Sequence, residues 1–169
     1  MLSSFDRAFV RINRSILIVI LGAMAVMVFA NVALRFTTAH SILWVEEVSR
    51  YLMIWLTFLG SGVVLRYGAH IGIDTLQERF PRAAPVVRVI ICVLLLGFFA
   101  AMAGLGARYA MLTWGQTTPV LEIPIGAVYL AMPIGFALMI VHLLLMAAPW
   151  IRHKRVLADG AFDADAAKL

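Results

Sequence analysis

Charged residues bracket the long apolar runs of this chain at a nearly constant spacing. In the first three runs the bracketing residues stand 20 or 21 positions apart: Arg14 and Arg35, Glu46 and Arg66, Arg88 and Arg108. A helix of that length rises about 30 Å, which is the thickness of the hydrocarbon core of a bilayer. No Asp, Glu, Lys or Arg lies in the middle of any run. The spacing therefore predicts membrane-spanning helices.

The amino-acid composition also indicates a membrane protein. Hydrophobic residues make up 63% of the 169 residues and charged residues 14%, against about 25% charged residues in soluble domains. The net charge of +5 comes largely from arginines near the ends of apolar runs, which indicates control of membrane topology and not nucleic-acid binding. We expect an all-α integral membrane protein with four transmembrane helices and short amphipathic interfacial helices. The single Cys92 lies in an apolar run and is interpreted as an inert core residue.

Three parts are predicted along the chain. Residues 1–14 form an amphipathic, basic helix on the membrane surface, residues 15–151 the four-helix membrane domain, and residues 152–169 a polar cytoplasmic tail. The spans are expected at about 15–35, 45–66, 88–108 and 123–151, with a cytoplasmic surface helix at about 70–80. Pro133 lies inside the fourth apolar segment, which predicts a kink or a short outer helix before the main span.

Basic residues are concentrated at both termini and in the central loop, so the positive-inside rule predicts that all three are cytoplasmic. Seven arginines are expected to anchor the chain at the membrane surface: Arg7, Arg11, Arg14, Arg79, Arg82, Arg88 and Arg152.

Two carboxylates open the second span, and one arginine follows them. Glu46 and Glu47 lie four and three positions before Arg50, which is the spacing of neighbours on a helix surface. One arginine satisfies one carboxylate well, so Arg35, a short loop away, is the expected second partner. The group is interpreted as a salt-bridge knot between the first two spans. Docking of an external partner and a proton relay are the alternatives, although a relay would need acidic groups at membrane depth.

The apolar middle of every span argues against a reaction or transport centre. A small autonomous transporter would carry an ionisable group near the midplane. A haem-bearing anchor of a respiratory complex would need two histidines at one depth, and only His142 falls within a span. No enzyme activity, cofactor or metal site is therefore expected. Small residues around Gly60 and from Gly97 to Ala107 favour close helix contacts, within the chain or with a partner.

The order of several motifs resembles the small membrane subunit of TRAP transporters, the DctQ-like family. The matching elements are Asn31-x-x-Leu34-Arg35-Phe36, Trp44-x-Glu46-Glu47-x-x-Arg50, Trp55, Phe58-Leu59-Gly60, Arg66-x-Gly68-x-His70-Ile71-x-Ile73-Asp74, Gln116, Ile123-Pro124 and Pro133-x-Gly135. They fall in order at the ends of the predicted helices, over about residues 15–150.

This resemblance implies a tripartite, sodium-driven uptake system for organic acids in the bacterial inner membrane. The small subunit would act as a scaffold for a large membrane subunit that carries the substrate, and it would help to dock a periplasmic substrate-binding protein. The lipid bilayer is the remaining expected partner. Candidate partner and assembly residues are Arg35, Trp44, Glu46, Glu47, Arg50, Gly60, Arg66, His70 and Asp74.

Overall fold

A computed structural model describes residues 4–68 and 84–153. The helices are α1 (Ser4–Thr38), α2 (Leu43–Gly68), α3 (Ala84–Leu112), α4 (Ile125–Tyr129) and α5 (Ala131–His153). Four segments are long and apolar enough to cross a membrane: α1, α2, α3 and the α4–α5 pair. The predicted all-α fold with four spans is confirmed. The predicted surface helix at 70–80 and the tail from residue 154 onward lie outside the described residues.

The N-terminal segment and the first span form one continuous helix, α1, where two helices were expected. No proline or glycine precedes Gly22, so nothing in the backbone favours a break near residue 14. The segment is two-sided, because Asn13 is buried while Arg7 and Arg11 are exposed. Its buried side packs on neighbouring helices. Its position at the membrane surface remains a prediction.

The long helices pack in a row, with α1 on α2, α2 on α5 and α5 on α3. The buried core lies between α3 and α5 and consists of Cys92, Phe99, Met139, Leu143 and Met146. Only 6% of the spanning window of α1 and 17% of that of α3 is buried. These two helices, and α2 with 11% of its window buried, therefore present wide apolar faces to lipid or to a partner.

Pro133 marks the start of a helix. Of the two expected alternatives, the structure shows the short outer helix: α4 ends at Tyr129, and Pro133 is the third residue of α5. A proline is tolerated there because the first N–H groups of a helix have no partner within it. Two residues later, a Cβ on Gly135 would stand 2.6 Å from the Phe58 Cβ. The absence of a side chain at Gly135 thus lets α5 approach α2 closely.

Candidate assembly site at the loop end of the bundle

One end of the helices carries the α1–α2 turn (39–42) and the loop 113–124, and it is here called the loop end. Glu47 is the best-buried charged residue there. It lies in the second turn of α2, and its side chain is only 1% exposed. The Tyr51 hydroxyl donates to Glu47 Oε1 at 2.8 Å, and the Val120 backbone N–H donates to Oε2 at 2.9 Å. Both carboxylate oxygens therefore have donors, one from α2 and one from the loop.

The loop that Glu47 holds is tightly folded by its own backbone. Thr118 N donates to Ile123 O at 2.9 Å, and Ile125 N donates to Gln116 O at 2.8 Å. The Thr118 hydroxyl accepts a hydrogen bond from Ile123 N at 3.3 Å, and Thr118 is 2% exposed. These bonds close the loop upon itself, so Glu47 joins a preformed loop to α2 through the Val120 N–H and through contact with the Thr118 side chain. We call Glu47, Tyr51, Thr118 and Val120 the Glu47 clamp.

The predicted salt-bridge knot is not what the structure shows. Among the described residues, no ion pair joins Arg35 or Arg50 to Glu46 or Glu47, and Glu46 is exposed. The physical reason is the loop 113–124, which covers Glu47 and supplies a backbone donor at closer range than a flexible guanidinium. The expectation that the second carboxylate needs a further partner was right, but the partner is the loop and not Arg35.

Asn31 fastens the α1–α2 turn at the same end. Its Oδ1 accepts a hydrogen bond from Ile42 N at 2.7 Å. Ala39 has a φ of 57°, the left-handed conformation in which helices commonly end, and its N–H donates to Arg35 O at 3.1 Å. The turn is therefore held by the Asn31 side chain from within the first span and by hydrogen bonds between Thr38 and His40.

A second polar cluster lies within the helices, in the half of the bundle away from the loop end. Asn13 Nδ2 donates to Leu59 O at 3.2 Å and lies 3.2 Å from His142 Nε2. An amide nitrogen can only donate, so Nε2 accepts in this arrangement. The Phe9 and His142 rings are 4.8 Å apart, and His142 is fully buried. This Asn13–His142 cluster, with Gly62 against the imidazole, joins α1, α2 and α5.

Nothing in the predicted pattern singles out Asn13, Thr118 or Tyr51. A usable signal did exist for Asn13 and Asn31, because a polar side chain on the apolar side of a spanning helix requires a partner inside the protein. The partner itself lies 46 positions away for Asn13 and 11 for Asn31. Only the tertiary arrangement identifies it.

The remaining predicted residues are dispersed. Trp44 is exposed beside the loop end, and Gly60 faces Leu17 of α1. Arg7, Arg11 and Arg14 are exposed, as membrane anchoring would require, whereas Arg88 is 7% exposed and has little surface to offer to lipid headgroups. Arg66 lies in α2 and Arg152 in α5. His70, Asp74, Arg79 and Arg82 lie outside the described residues.

Residues 24–153 match the family described as tripartite ATP-independent periplasmic transporters, DctQ component. The chain belongs to this DctQ family. Its relatives are small permease subunits of transporters and not enzymes, and together with the four spans they indicate a multi-pass protein of the inner membrane.

Three relatives illustrate the similarity. The C4-dicarboxylate TRAP transporter small permease protein DctQ of Rhodobacter capsulatus is 35% identical over 127 residues, 69% of this chain and 54% of that protein. The ectoine TRAP transporter small permease protein TeaB of Halomonas elongata is 29% identical over 138 residues, 80% of this chain and 72% of the relative. The isethionate TRAP transporter permease protein DctMQ of Oleidesulfovibrio alaskensis is 31% identical over 109 residues, 63% of this chain but only 17% of that protein. The match thus spans about half of the Rhodobacter protein and a small part of DctMQ.

Glu47→Gln should loosen the loop of this DctQ protein. The amide keeps the size of the carboxylate but removes its negative charge, so the bonds with Tyr51 and Val120 lose their charge assistance and the Tyr51 hydroxyl must reverse its role if the amide oxygen accepts from Val120. Because hydrogen bonds to charged groups are the stronger ones, we expect amide exchange in the segment 118–124 to rise about tenfold. Hydrogen–deuterium exchange measures this, with the exposed neighbour variant Glu46→Gln as control. Equal exchange in the two variants would contradict the clamp.

Gly62→Ala should destabilise the Asn13–His142 cluster. A Cβ at residue 62 would stand 2.5 Å from His142 Cδ2, whereas at Gly60 the nearest atom is a Leu17 methyl at 3.8 Å. Overpacking of this kind costs about 1–3 kcal/mol. Thermal unfolding in detergent should therefore show a clear loss of stability for Gly62→Ala and little change for Gly60→Ala. The prediction fails if both substitutions have the same effect.

Proposed function

We propose that this chain is the small membrane subunit of a tripartite, sodium-driven uptake system for an organic acid, and that it acts as a scaffold for the large membrane subunit. The observation that carries the proposal is how its buried polar groups are used. Asn13, Asn31 and Glu47 each join one helix to another segment of the chain. Side chains of this kind hold the helices in fixed positions, whereas a transport path would need polar groups that face a cavity.

The names of the relatives support a role that is independent of the substrate. They are named for a C4-dicarboxylate, ectoine and isethionate, which differ in charge and in functional groups. Similar chains that occur with such different solutes are better explained as supports than as selectors. We therefore assign substrate choice to the other two components of the system.

The basic residues near both termini favour a cytoplasmic position for both chain ends, so the loop end would face the periplasm. There the Glu47 clamp would hold the loop 113–124 in a fixed shape, with Trp114 and Val120 about half exposed. A rigid loop with exposed apolar side chains suits the docking of a periplasmic binding protein, because little ordering entropy is lost on contact.

The outer face of α3 suits the large subunit. Gly97, Ala100, Ala101 and Gly104 lie on one side of this helix, and all four are exposed. A Cβ added to Gly97 or Gly104 would meet nothing within 4 Å. In lipid, small residues favour helix association by allowing two backbones to approach closely. This face of α3 has room for a helix of the large subunit to pack against it.

Transport by reconstituted proteins tests the scaffold role. We expect sodium-dependent uptake in proteoliposomes that contain the large subunit, this chain and the binding protein. We expect none from this chain with the binding protein, because it would supply only the support. Uptake measured without the large subunit would overturn the proposal.

Gly104→Leu should weaken assembly with the large subunit, because a branched side chain would hold the two helix backbones apart. Co-purification from membranes measures the loss, which we expect to be about tenfold for an overpacked helix contact. Gly22→Leu is the matched control, since Gly22 of α1 is also exposed with no neighbour within 4 Å. Equal yields from the two variants would exclude this face of α3 as the contact.

A further inference from the structure

A groove between α1 and α2 at the loop end combines charged and apolar walls. It has a volume of about 370 Å³. It is separate from the Glu47 clamp, which engages the loop 113–124 instead. Its walls are formed by Val28, Asn31, Val32 and Arg35 of α1 and by Val45, Glu46, Ser49 and Arg50 of α2.

Polar groups in this groove have binding capacity that the described part of the chain does not use. The Ser49 hydroxyl oxygen is buried, and no hydrogen-bond partner for it lies among the described residues. That oxygen has almost no accessible surface, so the cationic groups that a ligand in the groove can reach are the guanidinium groups of Arg35 and Arg50. Arg35 and Arg50 form no ion pair within the described ranges and are both exposed beside it.

An apolar strip continues from the groove along α1. It is a shallow depression of about 400 Å³ lined by Met24, Ala25, Val28, Phe29 and Val32, and it shares Val28 and Val32 with the groove. From Met24 to Arg35 the helix rises about 16 Å, which is comparable to half the thickness of a bilayer's hydrocarbon core. The surface is therefore polar at one end and apolar over the length of a lipid chain.

We propose that this surface binds one phospholipid. Arg35 and Arg50 bind its phosphate, and one acyl chain lies along the strip on α1. Guanidinium groups suit phosphate because they present paired donors in a planar fork. The carboxylate of Glu46 in the same groove favours a headgroup that also carries an ammonium group. An acidic side chain from a partner helix fits less well, because it carries no positive charge to pair with that carboxylate.

Native mass spectrometry of the full-length chain, purified in detergent and titrated with dioleoyl-phosphatidylethanolamine, tests the proposal. We expect one lipid to bind, and we expect Arg35→Ala and Arg50→Ala each to weaken binding about tenfold, the effect of losing one charge-assisted contact. Arg108→Ala is the matched control, because Arg108 is an exposed arginine near the end of α3, outside the groove. Unchanged affinity in both groove variants would overturn the proposal.

Further experiments distinguish a bound lipid from other ligands of the groove. Val32→Trp fills the groove from an exposed position and should also weaken binding, which keeps the test decisive if an arginine variant loses helicity. Glu46→Gln should reduce the preference for phosphatidylethanolamine over phosphatidylglycerol. Displacement of the lipid by millimolar inorganic phosphate would show a simple anion site and refute the proposal. Two results together would refute the proposal: release of the lipid when the large subunit binds, and failure of that assembly in Arg35→Ala. They would show that the groove contacts a protein.

Discussion

Polar groups inside a membrane protein must find their partners within the protein, because hydrocarbon offers none. In this chain that constraint acts at the loop end and in the opposite half of the helices. The Glu47 carboxylate takes a backbone N–H from the loop 113–124, and the Asn13 amide bonds to Leu59 O beside His142. These contacts are directional and costly to leave unmade. They fix the positions of helices whose apolar sides alone would slide in lipid.

The need for such contacts follows from the architecture. Helices that pack in a row bury little apolar surface, as the small buried fractions of α1 and α3 show. Lipid tails also solvate exposed leucine and valine as well as protein does, so no hydrophobic force drives the row together. The packing of the His142 ring against Gly62, the close approach of two helices at Gly135 and the polar contacts of Glu47 and Asn13 supply the specificity instead. The uncovered faces stay available to neighbours in the membrane.

Local features of the fold were predictable from the sequence, and long-range partners were not. Apolar run length and charge spacing predicted four spans, because the bilayer imposes a fixed length on every helix that crosses it. Pro133 signalled the interruption of the fourth segment for a reason equally local. One carboxylate of the pair Glu46 and Glu47 was recognised as needing a partner beyond Arg50, yet Arg35 was chosen for it, because charge pairing is visible in a sequence. The backbone N–H of Val120, 73 positions away, carries no sequence signal, since every residue except proline has one.

Because Glu47 is paired with the loop 113–124 and not with an arginine, the arginines of the loop end are affected as well. A carboxylate paired with Arg35 or Arg50 would have neutralised that arginine and closed the space between α1 and α2. Because the loop satisfies Glu47, both guanidinium groups remain exposed beside the groove between α1 and α2. The use of a backbone donor in place of a charged one thus ties α2 to the loop and leaves both arginines available beside the groove between α1 and α2. One buried carboxylate thereby separates two tasks, internal support and contact with the surroundings.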